Sequence, residues 1–419
     1  MPESDTGRGF LDTPVGKVLV LAASAALVAA TVALFLKARA DRAQDGARWN
    51  DGSTGPTKAK PKAIDPEGPT MREKSPNNNT RIRREDGKVW IEGLRQRPMW
   101  MTHMGCLIEC ADYLKVDASP AWIYGGTGYA FALNIHEVIC PSGPTAWPAE
   151  KCEALAANVG INTERFQGAK SREDVDGFRE TIWKRTRQAI DAGLPALGWE
   201  MGVPEWYVVH GYDADGNYLY RDFGDKTGKR HYTKLGDTGI GWICMVIATK
   251  GEADDDRTTV REAFRFAVEH GAGKHSNEKW HTGLSGYDTW IRALEDDEAA
   301  KGDVIGFGCA YNAQCWAECR RQAVTFLEEA KKRLDDEKLI PLFDEAIKHY
   351  TVVRDRLDAV GKIFPFDVRD EVGMDLRFRE ADRRTKAVEA LRAARTAEAA
   401  GLKALAEIAD ALGAQPKAP

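Results

Sequence analysis

Residues 193–223 read GLPALGWEMGVPEWYVVHGYDADGNYLYRDF, and this stretch decides how the rest of the chain is read. Trp206-Tyr207-Val208-Val209 is rich in β-branched and aromatic residues, and Tyr218-Leu219-Tyr220 repeats the pattern. Between them Asp213-Ala214-Asp215-Gly216-Asn217 supplies the Asp and Gly of a tight reversal. The spacing predicts a β-hairpin whose first strand ends in Gly-Tyr-Asp and whose second reaches Asp222.

Elements of both kinds flank the hairpin. Val175 to Ala192 reads as a helix closed by Gly193, and Gly241 to Ala248 as an apolar strand in the middle of a sheet. Further upstream, Cys106 to Leu114 has Leu107, Cys110, Ala111 and Leu114 on one helical face. Gly125-Gly126-Thr127-Gly128 reads as a loop leading to Tyr129–Leu133, and Cys140 to Trp147 as a loop stiffened by Pro and Gly.

From residue 256 onward the pattern is helical. Thr258–Glu269 and Gly286–Glu295 are short helices. Phe343, Ala346, Tyr350, Val353, Leu357 and Val360 recur every three or four residues as a packing seam. Leu402, Leu405, Ile408 and Leu412 mark a last long helix, and Phe364-Pro365-Phe366 a short turn. The expected architecture is therefore α+β over residues 86–250, followed by an antiparallel helical bundle over 256–415.

The N-terminal part differs in composition. After a tail, 1–17, the uncharged run Val18–Leu36 would span about 28 Å as a helix, close to a bilayer core. It reads as one transmembrane helix, with a cleaved signal ending near Ala38-Arg39-Ala40 as the alternative. Residues 37–85 lack apolar periodicity and read as a disordered linker. The expectation is a single-pass cell-membrane protein with an extracytoplasmic body, although Lys37, Arg39, Arg42 and Arg48 favour the opposite orientation. Lys+Arg 59 against Asp+Glu 64 gives no general pull toward nucleic acid.

The eight cysteines fit no paired Cys-x-x-Cys zinc framework. They read as small buried hydrophobes with one or two disulfides, Cys140 and Cys152 lying close enough to bridge. No metal and no cofactor is expected, although His270, His275 and His281 with Cys309 are the residues that zinc would use.

The order of a Cys-bearing helix, GGTGYAF, GLP, VVHGYD and a strand carrying Asp222 resembles the N-terminal domain of the butirosin biosynthesis protein H family. More distantly it resembles the bacteriocin-processing cysteine peptidases. The Gly-Tyr-Asp-x-Trp segment at Gly286–Trp290 and the helical tail are similar as well, so the resemblance covers about residues 95 to 412. It implies a papain-like cysteine-peptidase-type domain that transfers acyl groups or cleaves amides. A Cys at a helix start, a His on a strand and an Asp or Asn on the next strand would carry the chemistry.

Carried over residue by residue, the pattern breaks. The family His falls six positions before Gly211, where this chain has Glu205, and the family Cys falls on Thr102. Gln96, six before Thr102, and Asp222 match. Three readings follow. A repurposed enzyme would use Cys106, one turn beyond Thr102, with His210 and Asp222; 205 and 210 differ by an odd number, so His210 needs a β-bulge to reach the same face. A degenerate, non-catalytic binding module would keep a pocket of Glu205, Asp222 and the Gly125–Gly128 loop (Gly126 and Gly128 foremost), with Gln96 and Thr102, for a small-molecule or peptide ligand. Acid–base chemistry would use Glu200 and Glu205 with His210 or His136. The sequence favours the second reading, with the cysteine-dependent acyltransferase or amide hydrolase as the alternative.

Overall fold

The computed structural model describes residues 81–146, 150–302 and 305–413. The hairpin forms where its composition puts it: strand β6 (Trp206–Asp213) returns as β7 (Asn217–Arg221). Gly216 at φ 87° makes the reversal, and the Asp213 carboxylate accepts from the Asn217 N–H at 2.9 Å. Strand β8 (Thr227–His231) continues along β7.

On its other edge β6 pairs with β5 (Ala196–Trp199) and, further along, with β2 (Lys88–Ile91) of a hairpin begun by β1 (Ile82–Glu85). Those four residues, the end of the expected linker, are thus a strand. Strand β9 (Trp242–Lys250) lies between β5 and β4 (Ile161–Ala169). Its run from Ile243 to Ala248 is buried, as an interior strand requires. These eight strands form one sheet in which every pairing is antiparallel.

Helix α1 (Thr102–Leu114) packs on β5, β6 and β9. It starts four residues before the expected Cys106, and no side chain caps it locally. The carboxylate of Glu318, far along the chain, accepts from the N–H groups of Trp100 and Met101 at 3.0 Å each and takes over that role.

Helix α2 (Pro120–Gly126) corrects the expected glycine loop. Ser119 caps it, Pro120 sits in its first turn, and Gly125 and Gly126 belong to it. A Cβ on Gly125 would stand 1.8 Å from the Phe326 ring, so this glycine permits close helix contact rather than a turn.

Two further helices follow, α3 (Glu150–Ala156) and α4 (Val175–Asp191). Beyond the sheet lie α5 (Asp256–Gly271), α6 (Gly283–Glu295), α7 (Ile305–Leu334), α8 (Ile340–Ile363), α9 (Glu371–Arg379) and α10 (Ala381–Gly413). The seam Phe343, Ala346, Tyr350, Val353, Leu357 and Val360 is the buried stripe of α8.

The two parts share one hydrophobic core. A two-stranded sheet, β3 (Asn134–His136) with β10 (Trp280–Thr282), stitches them together. So does Arg320 of α7, fully buried, which donates to Glu398 on α10 and to the carbonyls of Ala130 and Ala132. Satisfying a buried guanidinium this way fixes how bundle and sheet meet.

The expected transmembrane helix and single-pass membrane location require correction. Among the described residues no helix is long and apolar enough to cross a membrane. The expected span 18–36, with the tail 1–17 and most of the linker 37–85, lies outside the described residues, as does Trp147.

Candidate functional site

At the first position of α1, the Thr102 hydroxyl donates to Glu205 Oε2 at 2.5 Å and accepts from the Trp206 N–H at 3.1 Å. The other Glu205 oxygen accepts from the Tyr311 hydroxyl at 2.7 Å. Thr102 is 3% and Glu205 1% exposed, so solvent does not compete for these bonds. Gln96 is pinned to β6: its amide donates to the Trp206 carbonyl at 2.9 Å, and its oxygen accepts from the Val208 N–H at 3.2 Å. Gln96, Thr102 and Glu205 therefore meet in one place.

Thr102 also borders a crevice lined by Trp100, His103, Thr145, Trp206 and Tyr311, too tight to admit a water molecule; Gln96 and Glu205 are not among its lining residues. Gly126 and Gly128 are not part of it. A Cβ on Gly126 would meet Val159, and one on Gly128 would meet Phe266.

Cys106, His210 and Asp222 do not form a hydrogen-bonded chain. Both ring nitrogens of His210 are buried without a hydrogen-bond partner. The expected irregularity does occur, since the β6–β7 register shifts between Val209 and Gly211. It leaves the imidazole 6% exposed. Burial, with the Arg221 charge nearby, lowers its pKa to about 4. The Asp222 carboxylate instead accepts from the N–H groups of Gly224 and Lys226, at 2.9 and 3.0 Å. Burial raises the Cys106 thiol well above its ordinary range, and Cys110, Glu205 and Glu109 push the same way. A thiol in that setting stays protonated and is a weak nucleophile.

Glu200 holds Thr238 through a 2.7 Å hydrogen bond, and burial raises its carboxyl to about 7. Its φ is 55°, and its N–H donates to the Glu205 carbonyl, so the turn it strains presents Glu205 to α1. His136 lies away from this site, on β3 against Trp280.

Among the described residues no group of three or more His, Cys, Asp or Glu side chains is placed to hold a metal. His270 and His275 face each other, whereas Cys309 accepts from the Trp290 indole. All eight cysteines are free and buried, which corrects the expected disulfides, Cys140–Cys152 included.

Three contributors escaped the sequence reading. Tyr311 and Glu318 project from α7, two turns apart, onto residues more than a hundred and two hundred positions away. His103 follows Thr102, packs on the Trp206 ring at 4.7 Å, and is held by Glu153 at 3.2 Å. Arg165 also binds that carboxylate. Although burial acts against it, His103 and Arg165 lower the Glu153 carboxyl to about 2. No local pattern marks these residues; only the adjacency of His103 to Thr102 was legible.

The site can thus position two hydroxyls on one carboxylate, and the imidazole of His210 hydrogen-bonds neither Thr102 nor Cys106. No protein-family model matches this chain, and a search of curated proteins gives no match.

Proposed function

We propose that this chain is a non-catalytic binding module of papain-like arrangement, in which the nucleophile's place has become a joint between the sheet and the helical part. One observation carries this reading: Glu205 accepts from Thr102 and Tyr311 at once. A carboxylate so engaged cannot serve as the imidazole of a cysteine enzyme, and Thr102 has no other base to activate it. Gln96, which stands where the resemblance places a Gln ahead of the nucleophile, spends its amide on the strand. A small-molecule or peptide ligand entering this crevice must move Tyr311 and offer Glu205 a donor in its place.

Alkylation by iodoacetamide at pH 7, followed by peptide mapping, tests this. The expected result is slow labelling of Cys106 that His210→Ala leaves unchanged. Rapid labelling of Cys106 that drops in His210→Ala would instead establish the cysteine enzyme using Cys106, His210 and Asp222.

A further inference from the structure

Away from the crevice, four groups line up across three segments of the chain. Lys151 Nζ, on α3, lies 2.9 Å from His275 Nε2. His275 Nδ1 lies 3.1 Å from His270 Nδ1, and His270 Nε2 lies 3.0 Å from the Leu133 carbonyl. The Phe266 ring stacks on both imidazoles, at centroid distances of 5.4 and 5.3 Å. His270 is fully buried and His275 is 9% exposed.

Only one direction of donation fits this row. The Lys151 ammonium has no lone pair, so it must donate to His275 Nε2. His275 Nδ1 then carries the proton and donates to His270 Nδ1, and His270 Nε2 donates to the Leu133 carbonyl. The Leu133 N–H also lies 3.1 Å from His270 Nε2. Taking that contact as the donor would reverse the row and point an N–H of His275 at the ammonium. Both imidazoles are therefore neutral when the row is complete.

We propose that the Lys151–His275–His270–Leu133 row is an acid-sensitive clasp holding the start of α3 to the body. A proton arriving on His275 Nε2 takes the lone pair that Lys151 uses and sets two positive groups face to face. Lys151 is then left with Glu269 of α5, 3.9 Å away, a solvent-exposed carboxylate that Lys274 already holds at 3.2 Å. The charged neighbours agree with this sense. Burial, Lys151 and Lys274 lower the His275 pKa, while Glu269 opposes them. His270 is lowered to about 3, by burial foremost, with the Arg320 charge (itself paired to Glu398) contributing. The clasp is thus closed at neutral pH and opens as pH falls through the His275 midpoint, which lies below the ordinary histidine value of 6.5. Glu153, two residues further along α3, stays bound to His103 and Arg165, so acid releases the Lys151 contact while this one persists.

Hydrogen exchange of the α3 amides in the full chain, corrected for intrinsic rates, tests the clasp. Protection is expected to fall about fivefold between pH 7 and pH 5 in the native protein, and to stay level in His275→Gln, which keeps an acceptor for Lys151 but does not titrate. The His275 imidazole, followed by NMR, is expected to titrate at higher pH in Lys151→Met. Native protection that does not change, an equal fall in His275→Gln, or an unmoved midpoint in Lys151→Met each overturns the proposal.

Discussion

Two acid–base residues stand five positions apart around the start of one strand, and their surroundings are opposite. Glu205 is 1% exposed and accepts from two hydroxyls; His210 is 6% exposed and neither of its nitrogens has a hydrogen-bond partner. The difference follows from what each faces. Glu205 looks onto the first residue of α1 and onto Tyr311 of α7, where two layers of structure converge. His210 sits at a register shift in the β6–β7 ladder with the charge of Arg221 near it. Burial alone does not make a working site: the residue just before β6 ties the molecule together, and one within the strand is merely sheltered.

The comparison breaks most visibly at Glu205. Glu205→Leu removes the acceptor that two buried hydroxyls share, each loss costing about 1–3 kcal/mol, so a loss of roughly 3–4 kcal/mol is expected in chemical denaturation at pH 7. A loss under about 1 kcal/mol would show that Glu205 is not holding the joint.

Glu200, in the turn that presents Glu205, gives a pH signature. Its carboxyl is raised to about 7 in the folded chain from an ordinary value of 4.5. Between those values the folded state holds more protons than the unfolded one, so stability falls as pH rises across the window, by at most about 1.4 kcal/mol per pH unit. Glu200→Gln keeps an acceptor for Thr238 and is expected to flatten this slope in urea denaturation measured from pH 4.5 to 7.

Tyr311→Phe removes one donor to Glu205 while preserving the ring packing against Trp100 and Phe366. A loss of about 1–2 kcal/mol is expected from thermal unfolding.

The smallest effect at neutral pH belongs to His210. His210→Leu deletes no hydrogen bond, and a change within about 1 kcal/mol at pH 7 is expected. Its contribution appears in acid. The folded pKa of about 4 lies below the ordinary 6.5, so the unfolded chain binds more protons between them and stability is lost as pH falls through that range. The leucine variant is expected to lose less stability than the native protein between pH 6.5 and 4.

What the sequence made legible was local. The hairpin, the apolar run of β9 and the α8 seam repeat with the period of their own element, and each formed. No pattern near Thr102 or Glu205 announces that they meet; the packing of α1 on the sheet brings them together. Gly125 and Gly126 look like loop residues, yet Ser119-Pro120 is a legible helix start and both belong to α2. The early start of α1 was beyond local reading, since its acceptor is Glu318. Tyr311 was hidden for the same reason: on α7 it is one aromatic among many, and only the packing of bundle on sheet gives it Glu205.

The joint at Glu205 is tested most directly by a double-mutant cycle between Thr102→Val and Tyr311→Phe, measured by urea denaturation at pH 7. Because both hydroxyls donate to one carboxylate, removing the second is expected to cost more than removing the first. The double variant should exceed the sum of the single losses by about 1 kcal/mol or more. Losses that add to within about 0.5 kcal/mol would mean that Thr102 and Tyr311 do not share Glu205, and the joint between sheet and bundle would have to be sought elsewhere.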